Sequence, residues 1–207
     1  MKKIWLILIL GLAIRLFLSF ATFHPDIQAL SDSGQFVANG RILNLYDYSS
    51  DALLLNYPPL IYWFFGLFNF LFNGNLSFLK LSYLFFDLFL GVLLIKMVNP
   101  KRVVLAFSLW MFNPISLYAT YMMGQFDIIP TFFTILSVYF VVKNRLSWAA
   151  LALGGGIAFK LYPIFLIIPL IILAKGFWTR AKLVIIAALP YFVSILPYLS
   201  SSSFRLN

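Results

Sequence analysis

The chain has no cysteine, no glutamate and a single histidine, His24. The absence of cysteine excludes disulfides, thiolate metal sites and cysteine nucleophiles. One histidine excludes a multi-histidine metal centre, and no Ser-His-Asp set emerges from the spacing. Charge is scarce as well: 10% of the 207 residues are charged and 63% are hydrophobic. The acidic complement is six aspartates, of which Asp26, Asp32, Asp47 and Asp51 fall in one polar stretch, Asp127 in another and Asp87 in an apolar run. In so apolar a chain a carboxylate is costly to place and marks function more often than in a soluble protein.

What is abundant is Phe, at 24 residues, arranged with Leu and Ile in repeated apolar runs. These runs are continuous and lack the alternation of a membrane β-barrel, so the expected class is an all-α integral membrane protein. Residues 1–207 are read as a single membrane domain. The net charge of +9 does not point to nucleic acid, because the basic residues sit in small groups between apolar runs, as in cytoplasmic loops.

The runs are Ile4–Phe23, Pro58–Phe72, Phe78–Ile95, Val103–Tyr121, Ile128–Val142, Trp148–Phe159, Leu161–Ala174 and Leu183–Leu199. The first resembles a signal peptide, with Ser19 and Ala21 as small residues, yet Arg15 interrupts it and further runs follow, so a retained anchor is expected. If Pro58–Phe72 does not cross, Lys2, Lys3, Lys96, Lys101, Arg102, Lys143, Arg145, Lys175, Arg180 and Lys182 all fall on the cytoplasmic side. Asp26, Asp32, Asp47, Asp51 and Asp127 then face outward. Length agrees, since fifteen residues rise about 22 Å against a hydrocarbon core of roughly 30 Å. Pro58–Phe72 is therefore expected as a re-entrant or interfacial helix. The architecture is about seven transmembrane helices, with a long first outer loop carrying juxtamembrane helices and a cytoplasmic N-terminus in the plasma (inner) membrane.

Arg15 and Asp87 lie at matching depth, about 13 to 17 Å from the cytoplasmic edge, and are expected to pair between helices. The hairpin from Trp148 to Ala174 is short for two crossings, which leaves its tip, with Lys160, below the outer surface. Gly154-Gly155-Gly156 lacks the context of a phosphate loop and reads as close helix packing. Asp32 is expected either to cap a helix over residues 33–39 or to serve in catalysis, and Asp47 and Asp51 are expected in turns. Asn75-Leu76-Ser77 is only a weak glycosylation sequon. The constellation is thus several carboxylates with the cations Lys160, Lys80 and Arg41 around one outer face. A carboxylate takes a proton from an attacking hydroxyl and a cation holds a phosphate leaving group, which together suit transfer from a lipid phosphate. A transporter or flippase of lipid-linked or small polar substrates is the alternative, since it too would line a cavity with Asp and Lys.

The run His24-Pro25-Asp26, Asp32, Phe36-Val37, Gly40-Arg41, Tyr46-Asp47 and Asn56-Tyr57-Pro58-Pro59-Leu60 resembles the first outer loop of the GT-C superfamily of polyprenyl-phosphate-sugar-dependent glycosyltransferases. Asn113-Pro114, Gly124-Gln125-Phe126-Asp127 and Lys160 before Tyr162-Pro163 resemble later landmarks of its bacterial mannosyltransferase-like members. The resemblance implies a module of seven spans and an inverting transfer of a sugar from a polyprenyl-phosphate donor to a lipid, glycan or protein acceptor. The GPI-anchor mannosyltransferases similar to this loop carry a D-x-D motif followed six residues later by another Asp. Asp26 and Asp32 keep that interval, while His24 replaces the first Asp. Asp26 is then the first choice for general base, Asp32 the second, and Asp127 orients the acceptor or assists. Lys160, Lys80, Arg41, His24, Gln125 and Tyr57 are the implied contacts to donor and phosphate. No metal ligand set is assigned, although a divalent metal stays open. Relatives usually continue beyond the seventh helix, so the chain is expected to be a fragment or a minimal member that needs a partner chain.

Overall fold

Several helices in this chain start where the sequence supplies a polar acceptor or a proline. In the computed structural model, which describes residues 2–47, 55–201 and 204, all regular elements are helical. They are α1 (Lys2–Ala21), α2 (Pro25–Ala38), α3 (Pro59–Phe72), α4 (Leu76–Leu81), α5 (Leu84–Met97), α6 (Val103–Met111), α7 (Pro114–Ser116), α8 (Ile128–Val142), α9 (Leu146–Phe159), α10 (Ile167–Leu173) and α11 (Phe177–Ile195). Short 3-10 turns cover Ile42–Asn44, Pro100–Arg102, Tyr162–Leu166 and Leu196–Tyr198, and a wide π turn covers Leu117–Met122. Asn75 caps α4 by accepting from the N–H groups of Ser77 and Phe78, which gives that sequon asparagine a local structural role.

Four helical segments are long and apolar enough to cross a membrane: Lys2–Ala21, Leu76–Met97, Pro100–Met122 and Phe177–Tyr198. Leu60–Phe72 is shorter. Ile128–Val142, Leu146–Phe159 and Tyr162–Leu173 are also short, the first two with 15 and 14 residues. At a rise of about 1.5 Å per residue they span roughly 20 Å. By length and apolarity four of the described helices qualify as crossings rather than the seven expected, because the other apolar helices are too short to span a core of roughly 30 Å.

The short helices pack tightly because one of them presents a run of small residues to its neighbours. Along α9, Ala149, Ala150, Gly154, Gly156 and Ala158 are buried between α8 and α11. A Cβ on Gly154 would stand 2.3 Å from the carbonyl oxygen of Ala187, so the glycine is what permits the α9–α11 approach. This is the packing role expected of the triple-glycine run.

Helix α1 buries only the stripe Gly11, Arg15 and Ser19 and leaves its Leu, Ile and Phe side chains outward, as a lipid-facing helix does. Arg15 and Asp87 are both fully buried and their side chains meet at 2.6 Å, forming the expected ion pair. Three further bonds complete it. Arg15 donates to the carbonyls of Met111 at 2.7 Å and Gly11 at 3.0 Å, and the Tyr121 hydroxyl donates to Asp87 at 2.6 Å. The Met111 carbonyl is free because Pro114 interrupts the helix and the Asn113 side chain, rather than a backbone carbonyl, receives the Ile115 N–H. The buried charges thus fix a broken helix that ends in the π turn just before Gly124.

Candidate active site

The segment between α1 and α4 carries two packed helices, α2 on α3, in keeping with the helices expected there. Pro25 stands in the first turn of α2, where its missing N–H costs nothing, and His24 is the cap: its Nδ1 accepts the Asp26 N–H at 3.2 Å. The helix therefore begins eight residues earlier than the segment 33–39 predicted from sequence, and Asp32 is not its cap. Asp32 lies mid-helix on the exposed side and accepts from the Gln28 amide at 2.7 Å. An aspartate at position 24 would accept the same N–H, so the histidine substitution preserves the cap. The same Nδ1 lies 3.4 Å from Asp26 Oδ1. A nitrogen lone pair engaged by the N–H cannot also carry a proton toward the carboxylate, so capping and ion pairing are alternative states of His24.

Capping places Asp26 in the first turn of α2, 38% exposed, where the loop after the π turn reaches it. That loop is tightly set. Gly124 has φ +77, a backbone conformation unfavourable for residues with a Cβ, and such a Cβ would stand 2.6 Å from that of Ile27. The Gly124 carbonyl accepts from Tyr83 at 2.9 Å and the Gln125 N–H donates to the Ala119 carbonyl at 2.8 Å. So held, the Gln125 amide donates to Asp26 Oδ2. The next residue, Phe126, is fully buried against the Tyr57 ring, edge to face at 4.9 Å.

Asp127 then immediately precedes α8, and its carboxylate accepts from Lys160 Nζ at 2.6 Å, with the lysine 27% and the aspartate 44% exposed. Lys160 follows α9 in an extended conformation, φ −156 and ψ 139, because Pro163 blocks continuation of the helix. Its ammonium lies 5.4 Å from the Tyr57 ring centre and 5.3 Å from that of Phe126. Tyr57 is fixed in turn: its carbonyl accepts from Tyr46 at 3.2 Å and its N–H donates to the Tyr62 hydroxyl at 3.1 Å. Burial raises the Tyr46 hydroxyl well above its usual pKa, which keeps it a neutral donor.

Asp26, Gln125, Asp127, Lys160 and Tyr57, with His24 at the cap, thus form one linked set drawn from the first loop, the second loop and the α9 end. Lys80 and Arg41 make different contacts. Lys80 is buried and donates to the Thr22 carbonyl at 2.7 Å, closing the end of α1 two residues before His24. The Thr22 hydroxyl donates to the Leu18 carbonyl at 2.6 Å and lies 3.2 Å from the Tyr121 carbonyl, so Lys80 joins α4 to the end of α1 where the π turn comes close. Arg41 is exposed and lies over the Phe36 ring at 5.5 Å. Asp47 accepts from the Ser201 hydroxyl and links the first loop to the chain after α11, while Asp51 lies outside the described residues. Among the described residues no group of three or more His, Cys, Asp or Glu converges. Phe126 and Tyr162 enter from the sequence only as parts of motifs, with no site role, and Thr131 does not enter at all, although it lies four residues after Asp127.

Residues 120–203 match the family described as mannosyltransferase (PIG-M). The chain is 29% identical over 188 residues to GPI mannosyltransferase 1 of Kluyveromyces lactis, covering 82% of this chain and 44% of that protein. It is 26% identical over 166 residues to GPI mannosyltransferase 1 of Saccharomyces cerevisiae, covering 74% of this chain and 38% of that protein. The chain spans less than half the length of these curated relatives. No solved structure matches it at a significant level. The matched segment contains Gln125, Asp127 and Lys160, and the chain resembles GPI-mannosyltransferase-like glycosyltransferases.

Proposed function

We propose that this chain is the catalytic membrane module of a glycosyltransferase of mannosyltransferase type. It transfers a sugar from a polyprenyl-phosphate donor to a hydroxyl of a lipid, glycan or protein acceptor, on the extracytoplasmic face of the plasma (inner) membrane. The observation that carries this reading is the short loop from Gly124 to Asp127, which holds a carboxylate at one end and a cation at the other: Gln125 on Asp26, and Asp127 on Lys160.

The chemistry needs a base near an acceptor and a positive charge near the departing phosphate. In this reading Gln125 occupies one oxygen of Asp26 and leaves Oδ1 to take the acceptor proton. The acceptor oxygen attacks the anomeric carbon from the side opposite the phosphate, with inversion. The bond from that carbon to the phosphate oxygen breaks, its electron pair stays on the phosphate, and the charge there grows. Lys160 meets that charge. An ammonium has three donors, so the one given to Asp127 leaves two for phosphate while Asp127 keeps the side chain aimed. Lys80, already committed to the Thr22 carbonyl, supports the loop that carries Asp26. The basic clusters on the opposite ends of the helices support a cytoplasmic N-terminus.

The test is sugar transfer from a radiolabelled polyprenyl-phosphate mannose in membranes carrying the protein. Asp26→Asn is expected to lower transfer by about 10²-fold or more, the scale of losing a general base, with donor binding retained. Full transfer by Asp26→Asn alongside loss in Asp32→Asn would overturn the assignment of the base. Movement of the donor across the membrane without a new glycosidic bond would overturn the reaction class.

A further inference from the structure

One pair of hydroxyls beside the Asp127–Lys160 pair has no part in the reading above. Thr131 Oγ1 and Tyr162 Oη lie 2.9 Å apart, and Tyr162 is 41% exposed. Thr131 follows Asp127 by one turn of α8, its N–H donating to the Asp127 carbonyl at 3.1 Å. Tyr162 follows Lys160 by two residues. The start of α8 and the chain leaving α9 therefore face each other across two successive polar rungs, an ion pair and then a hydroxyl pair, spaced about 5 to 6 Å as neighbours at i and i+4 on a helix are.

The two rungs suit different ligands. Lys160 is a cation and takes phosphate. The hydroxyl rung carries no charge and has the Asp127 carboxylate one turn away, which disfavours a second anion there. Each hydroxyl both donates and accepts, so together they match a neutral group whose own hydroxyls do the same. A pyranose joined to the phosphate held by Lys160 is a neutral, hydroxyl-rich group, and its size is of the order of the rung spacing. The half-buried Tyr57 ring agrees, because it offers an apolar face beside the same ammonium.

We propose that Thr131 and Tyr162 form the sugar-hydroxyl subsite of the donor and discriminate among the sugars it carries. This rests on the assignment of Lys160 to the donor phosphate. A site that hydrogen-bonds a substrate hydroxyl binds a ligand carrying that hydroxyl more tightly than one lacking it, by the net worth of the bond. The hydroxyl pair would then contribute to affinity only when a sugar is present.

The experiment separates sugar from phosphate by comparing binding of polyprenyl-phosphate mannose with that of bare polyprenyl phosphate to the purified protein in nanodiscs. Tyr162→Phe and Thr131→Val are each expected to weaken the mannosylated lipid by about tenfold, the effect of one hydrogen bond of about 1.4 kcal/mol, and to leave bare polyprenyl phosphate unchanged. Thr131→Ser, which keeps the hydroxyl, is expected to bind both lipids as the parent does. Equal weakening of both lipids, or of neither, by Tyr162→Phe overturns the subsite. Lys160→Gln serves as the separate check on the premise: it should weaken both lipids, and unchanged binding of the bare phosphate would overturn the phosphate assignment while Tyr162→Phe still decides the sugar subsite. An unchanged unfolding temperature for each variant excludes a folding defect as the cause.

Discussion

Lys160 and Asp127 meet at 2.6 Å although 33 residues separate them, and the lysine ammonium sits beside both the Tyr57 and the Phe126 ring. Because both side chains are partly exposed, the pair contributes at most about 1 kcal/mol to folding. Its weight lies in function. Lys160→Met is expected to unfold at nearly the parental temperature while transfer from a polyprenyl-phosphate sugar falls about 10² to 10³-fold, the scale of removing one electrostatic stabiliser of a leaving group. Lys160→Arg, which restores the charge, should recover part of that loss. A thermal melt and a transfer assay on the same preparations check both statements.

The buried Arg15–Asp87 pair predicts the reverse pattern. Both groups are fully inaccessible, so removing one strands the other without its counter-charge, at a cost of about 3 to 5 kcal/mol. Asp87→Ala and Arg15→Leu are each expected to unfold at markedly lower temperature in detergent. The double replacement Arg15→Met with Asp87→Leu, which leaves no orphan charge, should recover a large part of the loss. If the double variant is as unstable as the sum of the singles, the carbonyl and Tyr121 contacts outweigh the charge pairing.

Asp26 and Asp32, the first and second choices for the base from sequence, receive different surroundings from the fold. Asp26 sits at the α2 cap against Gln125, whereas Asp32 accepts from Gln28 on the exposed side of its own helix. Asp32→Asn is therefore expected to change transfer less than about threefold and stability by no more than about 0.5 kcal/mol, as surface substitutions do. Gln125→Glu sets a carboxylate against Asp26 and should depress transfer strongly. Initial rates for the three variants side by side decide the order.

The parts of this arrangement that were legible in the sequence are those imposed by the cost of burying charge or by glycine. The Arg15–Asp87 pair followed from depth alone, and the role of Gly154 followed from a triple-glycine run with no phosphate-loop context. The start of α2 was missed because histidine is not among the usual capping residues, yet Pro25 in the first turn was a usable signal. Lys80 was grouped with Lys160 because both are cations near outer loops; its attachment to the Thr22 carbonyl depends on how α1 and α4 cross, which no local pattern encodes. Thr131 and Tyr162 escaped for the same reason. Neither is charged, and only the facing of α8 with the turn after α9 brings them together.

Gly124 gives the most direct test of whether loop geometry, rather than loop composition, sets the site. Two penalties meet there: φ is +77, and an added Cβ would stand 2.6 Å from the Cβ of fully buried Ile27. Gly40 shares the backbone conformation, with φ +78, but has open space around it. Gly40→Ala should therefore cost only the conformational term, about 1 to 2 kcal/mol, and leave transfer nearly intact. Gly124→Ala should add the steric conflict, shift the loop off α2 and slacken the hold of Gln125 on Asp26, so that transfer falls by more than tenfold. Ile27→Gly removes the obstructing Cβ, and the double variant Ile27→Gly with Gly124→Ala should recover transfer relative to Gly124→Ala alone without recovering the conformational cost in the melt. If the double variant is instead as inactive as Gly124→Ala, the loop is governed by its backbone conformation and the close approach to α2 is incidental to the chemistry.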